Sequence, residues 1–454
     1  MQMWLSEIAE IVCGKQIGND VAIASVSIDT RTLSPGQLYI AIKGHNFDGN
    51  DFVGLAEQTG AIAAIVHEDA AVSIPHVIVE DTRLALAQLA KAWRQKAAIP
   101  VVGITGSNGK TTVKEMVAAI LSVAGKVLYT QGNLNNDIGV PLTLLRLNDA
   151  DQFAVIEMGA NHPGEIAYTS ACAQADVVIL NNAGAAHIEG FGSLDGVAKA
   201  KGEIIETLKE DGIAIINRDD RYFDYWQQLA GNRRVLSFGL DENANVTAQA
   251  IKTELRDNVF VTVFQLVASG YETVEVELKL AGTHNVLNAL AAAAAGLALG
   301  LDLTQIAQGL AKVKPVTGRL QPLLGRLGNI VIDDTYNANS ASLKVGLDVL
   351  INCPGEPWLV LGAFGELGPE SQNMHREIGE LIKASGVTRL LATGADTRYA
   401  VEAFGPGAIY FDTQEALIAS LRQELTGNET ILVKGSRMQR MENVVATLVD
   451  NFRN

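Results

Sequence analysis

The stretch Thr105-Gly-Ser-Asn-Gly-Lys-Thr-Thr112 is built from residue types that hold phosphate. Small side chains let the backbone N–H groups of such a loop curl round an anion, and a helix starting at its end turns its positive pole toward it. Lys110 would reach the terminal phosphates of ATP or GTP, and the Thr111 hydroxyl would hold Mg²⁺. The stretch departs from the widespread form of the motif, because Ile104 stands where an early glycine is usual and the first loop glycine is Gly106. Context supports the reading: an apolar strand at 101–104 precedes the loop and a helical stretch at 113–121 follows it.

Other residues gain chemical meaning from where they fall. Glu157 ends the apolar strand 153–157, and active-site groups of α/β sheets lie just beyond strand C-termini. A carboxylate there suits a Mg²⁺ ligand; the alternative is a helix cap or an ion pair. His187 follows the strand 177–180 as a metal ligand or a structural histidine. Lys199 and Lys201 share one helix, where solvated surface is the default, and spacing singles out neither. Asn285 opens an alanine-rich helix and suits either a base edge or a cap. Arg319 sits at the hinge 314–318, placed to close over a phosphate or to form an interdomain ion pair. Asp334 follows a strand in Asp333-Asp-Thr-Tyr-Asn-Ala-Asn339, where it would bind a ribose hydroxyl or serve a turn. Ser27-Ile-Asp-Thr-Arg31 and Lys43-Gly-His-Asn-Phe-Asp-Gly49 bring cations and glycines together in loops suited to a diphosphate.

The elements that must position these groups fall into three α/β units, consistent with 454 residues at roughly 150 per domain. Residues 1–84 mix short strands, polar turns and one helix. Residues 85–316 repeat strand and helix, with strands at 101–104, 127–129, 153–157, 177–180 and 213–216, which implies a doubly wound parallel sheet. Within this unit, 246–280 changes character: 259–264 and 273–280 alternate with period two and suggest an antiparallel hairpin or edge. Residues 317–454 carry strands at 330–333, 358–361, 389–392, 408–411 and 430–433, a Rossmann-like third unit.

Apolar residues make up 48% of the chain, enough for a sizeable core, and the net charge of −16 argues against a global nucleic-acid binder. Cys13, Cys172 and Cys353 lie far apart with no metal-ligand spacing, and read as buried free thiols in a reducing compartment. The N-terminus lacks a basic region and carries early acids, so no signal peptide is expected. The longest apolar run, 289–301, is too short to span a bilayer. The expected protein is cytoplasmic.

Taken in order, these pieces resemble the Mur ligase family over the entire chain. The phosphate loop is similar to that family's own form, which accounts for the missing early glycine. Gly132-Asn-Leu-Asn-Asn-Asp-Ile-Gly-Val-Pro141, Glu157-Met-Gly-Ala-Asn-His-Pro-Gly-Glu165, Ala186-His-Ile-Glu-Gly-Phe-Gly192 and Asp334-Thr-Tyr-Asn-Ala-Asn339 resemble most the branch that acts on UDP-N-acetylmuramoyl-tripeptide and D-alanyl-D-alanine. The resemblance implies a UDP-binding domain at 1–84, an ATP-binding domain at 85–316 and a ligase domain at 317–454, working as a monomer. It implies ATP contacts from Thr105, Gly106, Ser107, Asn108, Gly109, Lys110, Thr111, Thr112, Asn285, Arg319 and Asp334. Metal ligation would come from Thr111, Glu157, His187 and Lys201, the last at a position that other members carbamylate, since a carbamate is anionic where an ammonium cannot ligate Mg²⁺. Catalysis would rest on Lys110, His187, Lys201 and Arg319. Ser27, Thr30, Arg31, Lys43, Gly44 and Asn46 resemble the UDP-substrate site, and Lys434-Gly-Ser-Arg437 fits the third domain's pattern. Two positions depart from it: Ala363-Phe364 stands where relatives often carry Asp-Met, and Ser340 where proline is common. The implied reaction makes an acyl phosphate from a carboxylate and ATP, then an amide. A sister ligase adding one amino acid, a nucleotide-driven switch or transport ATPase, and a non-catalytic UDP-sugar binder are the rival readings.

Overall fold

The computed structural model describes residues 1–44, 46–184, 188–365 and 367–450. Three sheets follow one another along the chain. The first runs Lys15–Ile17, His76–Ile78, Ala63–Val66, Leu38–Ile40, Val26–Ser27, parallel except for its first strand. A two-stranded ribbon of Met3–Trp4 and Ala22–Ile23 lies beside it.

The central sheet has nine strands. Its parallel part runs Val127–Tyr129, Phe153–Glu157, Val101–Thr105, Val177–Leu180, Ile213–Asn217, Arg234–Phe238 and Val246–Arg256. Val259–Ala268 and Val274–Leu278 then continue antiparallel, the edge that period-two alternation predicts. Val101–Thr105 lies third from one edge of this sheet and is buried on both faces, as an inner strand of a helix-covered parallel sheet must be. One face is covered by Lys110–Leu121, Thr283–Ala298 and Leu303–Leu310. The other is covered by Thr82–Ala97, Glu165–Ala173 and Leu194–Glu206, and this core is continuous with that of the first sheet. The apolar run at 289–301 falls largely in Thr283–Ala298, whose alanines at 289 and 291–295 are fully buried. No helix among the described residues is long and apolar enough to cross a membrane.

The third sheet runs Gln321–Leu324, Ile330–Asp334, Glu429–Lys434, Glu356–Gly362, Arg389–Thr393, Ala408–Phe411, parallel except for its first strand. The three cysteines are free, but of the three only Cys172 is buried; Cys353 is partly buried and Cys13 is exposed. It follows the helix Leu5–Ile11 at φ 52, a left-handed turn of the chain that leaves its thiol in solvent.

Candidate active site

The phosphate loop leaves Val101–Thr105 and enters Lys110–Leu121 at Gly109, which has φ 79 and supplies no side-chain cap. A Cβ at Gly109 would meet Asn288 Oδ1 at 2.4 Å and Asn181 Nδ2 at 2.6 Å, so glycine is required. The loop is braced from the next strand's end. Ser107 N donates to Asn182 O at 3.0 Å, and Asn108 N donates to Asn182 Oδ1 at 2.9 Å. Asn181 Nδ2 and Asn182 Nδ2 donate to Asn108 O at 2.9 and 3.1 Å. Thr105 Oγ1 donates to Met158 O. The first N–H groups of the helix have no intrahelical acceptor and are free to receive an anion.

Two cavities flank this loop. The first, about 390 Å³, is lined by the loop, Asn135, Asn136, Glu157 and, from the third domain, Arg319, Asp334 and Lys434. Lys110 lines it and donates to Gly106 O at 2.6 Å. Burial pushes its ammonium below the usual lysine value, with the Glu157 carboxylate opposing and the Arg319 charge adding. Thr111 Oγ1 donates to Glu157 Oε1 at 3.3 Å and accepts from Arg319 Nη2 at 3.3 Å. Arg319 also lies over the Tyr336 ring at 4.3 Å, and its buried Nε has no partner.

Glu157 is 2% exposed, and its Oε2 is buried with no hydrogen-bond partner. Asn135 Nδ2 donates to its Oε1 at 2.9 Å. A buried carboxylate oxygen left open beside a threonine hydroxyl is a donor set that fits Mg²⁺, a hard cation that takes oxygen ligands. The helix Leu194–Glu206 separates the two lysines that spacing could not: Lys199 is exposed and Lys201 is 1% exposed. Lys201 Nζ lies 3.5 Å from Ala160 O, a residue of the cavity wall, and 5.4 Å from the Phe191 ring centroid. Burial first, then the charge of Lys110, lowers its pKa to about 7. His187 lies outside the described residues.

The second cavity, about 360 Å³ and more apolar, is lined by Asn285, Asn288, His284, Leu280, Val313 and Val345. Asn285 does not cap its helix; its Nδ2 donates to Ala281 O at 2.8 Å, and its Oδ1 accepts from Asn288 Nδ2 at 3.2 Å. His284 is pushed down to about 4 by burial and by the charge of Lys434, so it is neutral at pH 7. Asp334 borders both cavities and accepts from Lys434 Nζ at 2.5 Å; burial raises its carboxyl against the pull of Lys434 and Arg319.

The first-domain loops follow adjacent parallel strands. Ser27 Oγ accepts from Asp29 N at 3.2 Å, and Arg31 pairs with Asp29 at 2.6 Å, which holds that carboxyl down at about 2. Lys43 pairs with Asp48 at 3.3 Å, and Gly44 N donates to Phe47 O. Thr30 is partly exposed; Arg31, Lys43, Gly44 and Asn46 are open to solvent. Sequence reasoning missed Asn135, Asn181, Asn182, Asn288 and His284. The stretch 132–141 around Asn135, the paired asparagines after the strand Val177–Leu180 and the three-residue spacing of Asn285 and Asn288 were the signals available.

Three family models match in chain order: "Mur ligase family, catalytic domain" at 22–94, "Mur ligase middle domain" at 104–296, and "Mur ligase, glutamate ligase domain" at 318–437. The UDP-N-acetylmuramoyl-tripeptide–D-alanyl-D-alanine ligase of Escherichia coli K12 is 45% identical, covering 98% of each chain. That of Bacillus subtilis is 33% identical over 98% of each. The crystal structure of MurF from Acinetobacter baumannii superposes with a TM-score of 0.93 at 35% identity, covering 98% of each chain. The MurF ligase of Thermotoga maritima in complex with ADP superposes with a TM-score of 0.84 at 29% identity, covering 93% of this chain and 96% of that one. On this full-length likeness, the chain belongs to the Mur ligase family.

Proposed function

We propose that this protein is an ATP-dependent ligase that joins D-alanyl-D-alanine to UDP-N-acetylmuramoyl-tripeptide, yielding the pentapeptide, ADP and phosphate, a cytoplasmic step of peptidoglycan precursor synthesis. The observation that carries the reading is the cavity in which the phosphate loop and Glu157 face Arg319, Asp334 and Lys434 of the third domain. It sets groups for a triphosphate on one wall and groups from a separate sheet on the other, as a two-substrate transfer needs.

In this reading residues 1–84 hold the UDP moiety, with Ser27, Thr30, Arg31, Lys43, Gly44 and Asn46 at the diphosphate. Residues 85–316 hold ATP, and residues 317–454 close over it and bring the acceptor. Arg31 and Lys43 would exchange their carboxylate partners for phosphate on binding. The neutral His284 and the amides of Asn285 and Asn288 would receive the base, and Asp334 the ribose.

The tripeptide's terminal carboxylate oxygen attacks the γ-phosphorus; the new O–P bond forms as the bond to the β-phosphate oxygen breaks, releasing ADP. Lys110 and Arg319 neutralise charge developing on the transferred group, and the third domain excludes the water that would hydrolyse an acyl phosphate. The dipeptide amine then attacks the acyl carbon, loses a proton and expels phosphate. Thr111, Glu157, His187 and Lys201 are the residues that would hold Mg²⁺, which supplies further charge neutralisation at the phosphates when bound. Lys201 supports its own modification: at a pKa of about 7 much of it is free amine at neutral pH, the form whose nitrogen adds to CO₂ and loses a proton to give a carbamate.

Phosphate release from ATP and Mg²⁺ tests the reading. Release that requires both UDP-N-acetylmuramoyl-tripeptide and D-alanyl-D-alanine, with a pentapeptide product by mass, is the expected result. Release with a single amino acid instead of the dipeptide, or indifferent to either substrate, would sink it.

A further inference from the structure

We propose that Asn339 is a positioning residue whose side-chain amide latches the third domain onto the phosphate loop. The inference rests on the ligase reading above and names one group that holds the two walls of its cleft together. Asn339 is the N-cap of the helix Ser340–Ile351, and its Oδ1 accepts from Ser342 N at 2.8 Å. Ser342 Oγ returns the bond by accepting from Asn339 N at 3.1 Å. One end of the amide is therefore committed to the cap. Its other end, Nδ2, donates to Asn108 Oδ1 at 2.9 Å, across 231 residues of chain.

The receiving side is rigid. Both main-chain groups of Asn108 are bonded to Asn181 and Asn182 at the end of a central strand, so a pull on its side chain is borne by the sheet. Three residues on, Thr111 takes the bond from Arg319, making a second tie between the same two walls. The choice of side chain points the same way. Serine and aspartate cap a helix as well as asparagine does, but each offers only oxygen there. Asparagine supplies an acceptor for the cap and a donor for the loop at once.

That division provides the test. Asn339→Ser keeps the cap and is too short to reach Asn108, Asn339→Ala loses both, and Asn108→Ala removes the acceptor. In the complete ligation assay, kcat/KM for ATP should fall about threefold to tenfold in Asn339→Ser, the worth of one hydrogen bond. Its melting temperature should match the parent, while Asn339→Ala melts lower. The Asn108→Ala/Asn339→Ser pair should lose no more than Asn108→Ala alone, because the two share one bond. Small-angle scattering without nucleotide should give a larger radius of gyration for Asn339→Ser. Parental kcat/KM and radius in Asn339→Ser, or losses that multiply in the pair, overturn the latch. A parent protein that binds ATP but makes no pentapeptide overturns the ligase reading instead, and the scattering comparison still decides the latch.

Discussion

Lys201 keeps an amine in a buried site, and this has a consequence for stability as well as for chemistry. Its pKa in the folded protein is about 7, against 10.5 for the free side chain. Below about pH 7 the folded state must carry a buried ammonium, at a cost of roughly 5 kcal/mol for three to four pKa units. Between that value and the unfolded one the unfolded chain binds more protons, so this cost is relieved as pH rises. Lys201→Met, which fills the same space without charge, should therefore raise the melting temperature in CO₂-free buffer at about pH 6 and give little gain at about pH 10. It should also abolish ligation. A gain that is equal at both pH values would contradict the buried ammonium. Glu157→Gln separates charge from shape at the neighbouring carboxylate: ligation should fall at least about a hundredfold, the scale of losing one electrostatic partner of a reacting group, with folding intact by circular dichroism. At this scale the sequence was uneven. The loop Thr105–Thr112 and Glu157 announce themselves by type and place. Lys199 and Lys201 look alike in the chain, and only the helix's packing buries one and exposes the other.

The elements were legible where burial writes a simple pattern. Strands covered on both faces, such as Val101–Thr105 and Val177–Leu180, are continuous apolar runs and could be read directly. Arg234–Phe238 escaped notice because it begins with an exposed arginine and only its last two residues are buried, and Val246–Arg256 because its outer half is solvated and charged. Gln321–Leu324 is an antiparallel edge strand containing Pro322, a residue that argues against a strand when read from sequence alone. Helix packing at the site was not legible at all. The phosphate-loop helix Lys110–Leu121 is pressed by Leu303–Leu310 so closely that a Cβ at Gly309 would lie 2.4 Å from Ile120 Cα. Backbone cannot yield there as a side chain can, so Gly309→Ala should destabilise by about 1–3 kcal/mol in urea unfolding. Because the displaced helix carries Lys110 and Thr111 at its start, KM for ATP should rise in the same variant. Unaltered urea midpoint and KM would show that the contact gives way without consequence.

At the scale of the whole molecule, a chain of net charge −16 sets Lys110, Arg319 and Lys434 against Glu157, Glu165 and Asp334 around one cavity, so the acidic excess of the whole chain is balanced there. How the first domain is tied to that cavity depends on a residue with no motif. Arg83, in the second position of the helix Thr82–Ala97, donates from Nε to Lys43 O at 3.2 Å and from Nη1 to Asp137 Oδ2 at 2.9 Å. These partners lie 40 and 54 residues away, which no local pattern reveals. Asp137 belongs to the same loop as Asn135, the residue that orients Glu157. One guanidinium thus fixes the loop read as the diphosphate site relative to the loop beside Glu157, the proposed metal ligand. Both Arg83 and Asp137 are about a third exposed, so the pair adds little to folding stability. Its effect should instead appear in how the two ends of the substrate are held. Arg83→Ala should raise KM for UDP-N-acetylmuramoyl-tripeptide about fivefold to tenfold while leaving KM for ATP and the melting temperature near parental values. Asp137→Ala should act the same way but more weakly, since Arg83 keeps its bond to Lys43 O, and adding it to Arg83→Ala should cost nothing more. Equal rises in both KM values would mean that Arg83 acts on the central domain's shape rather than on the seat of the nucleotide-sugar.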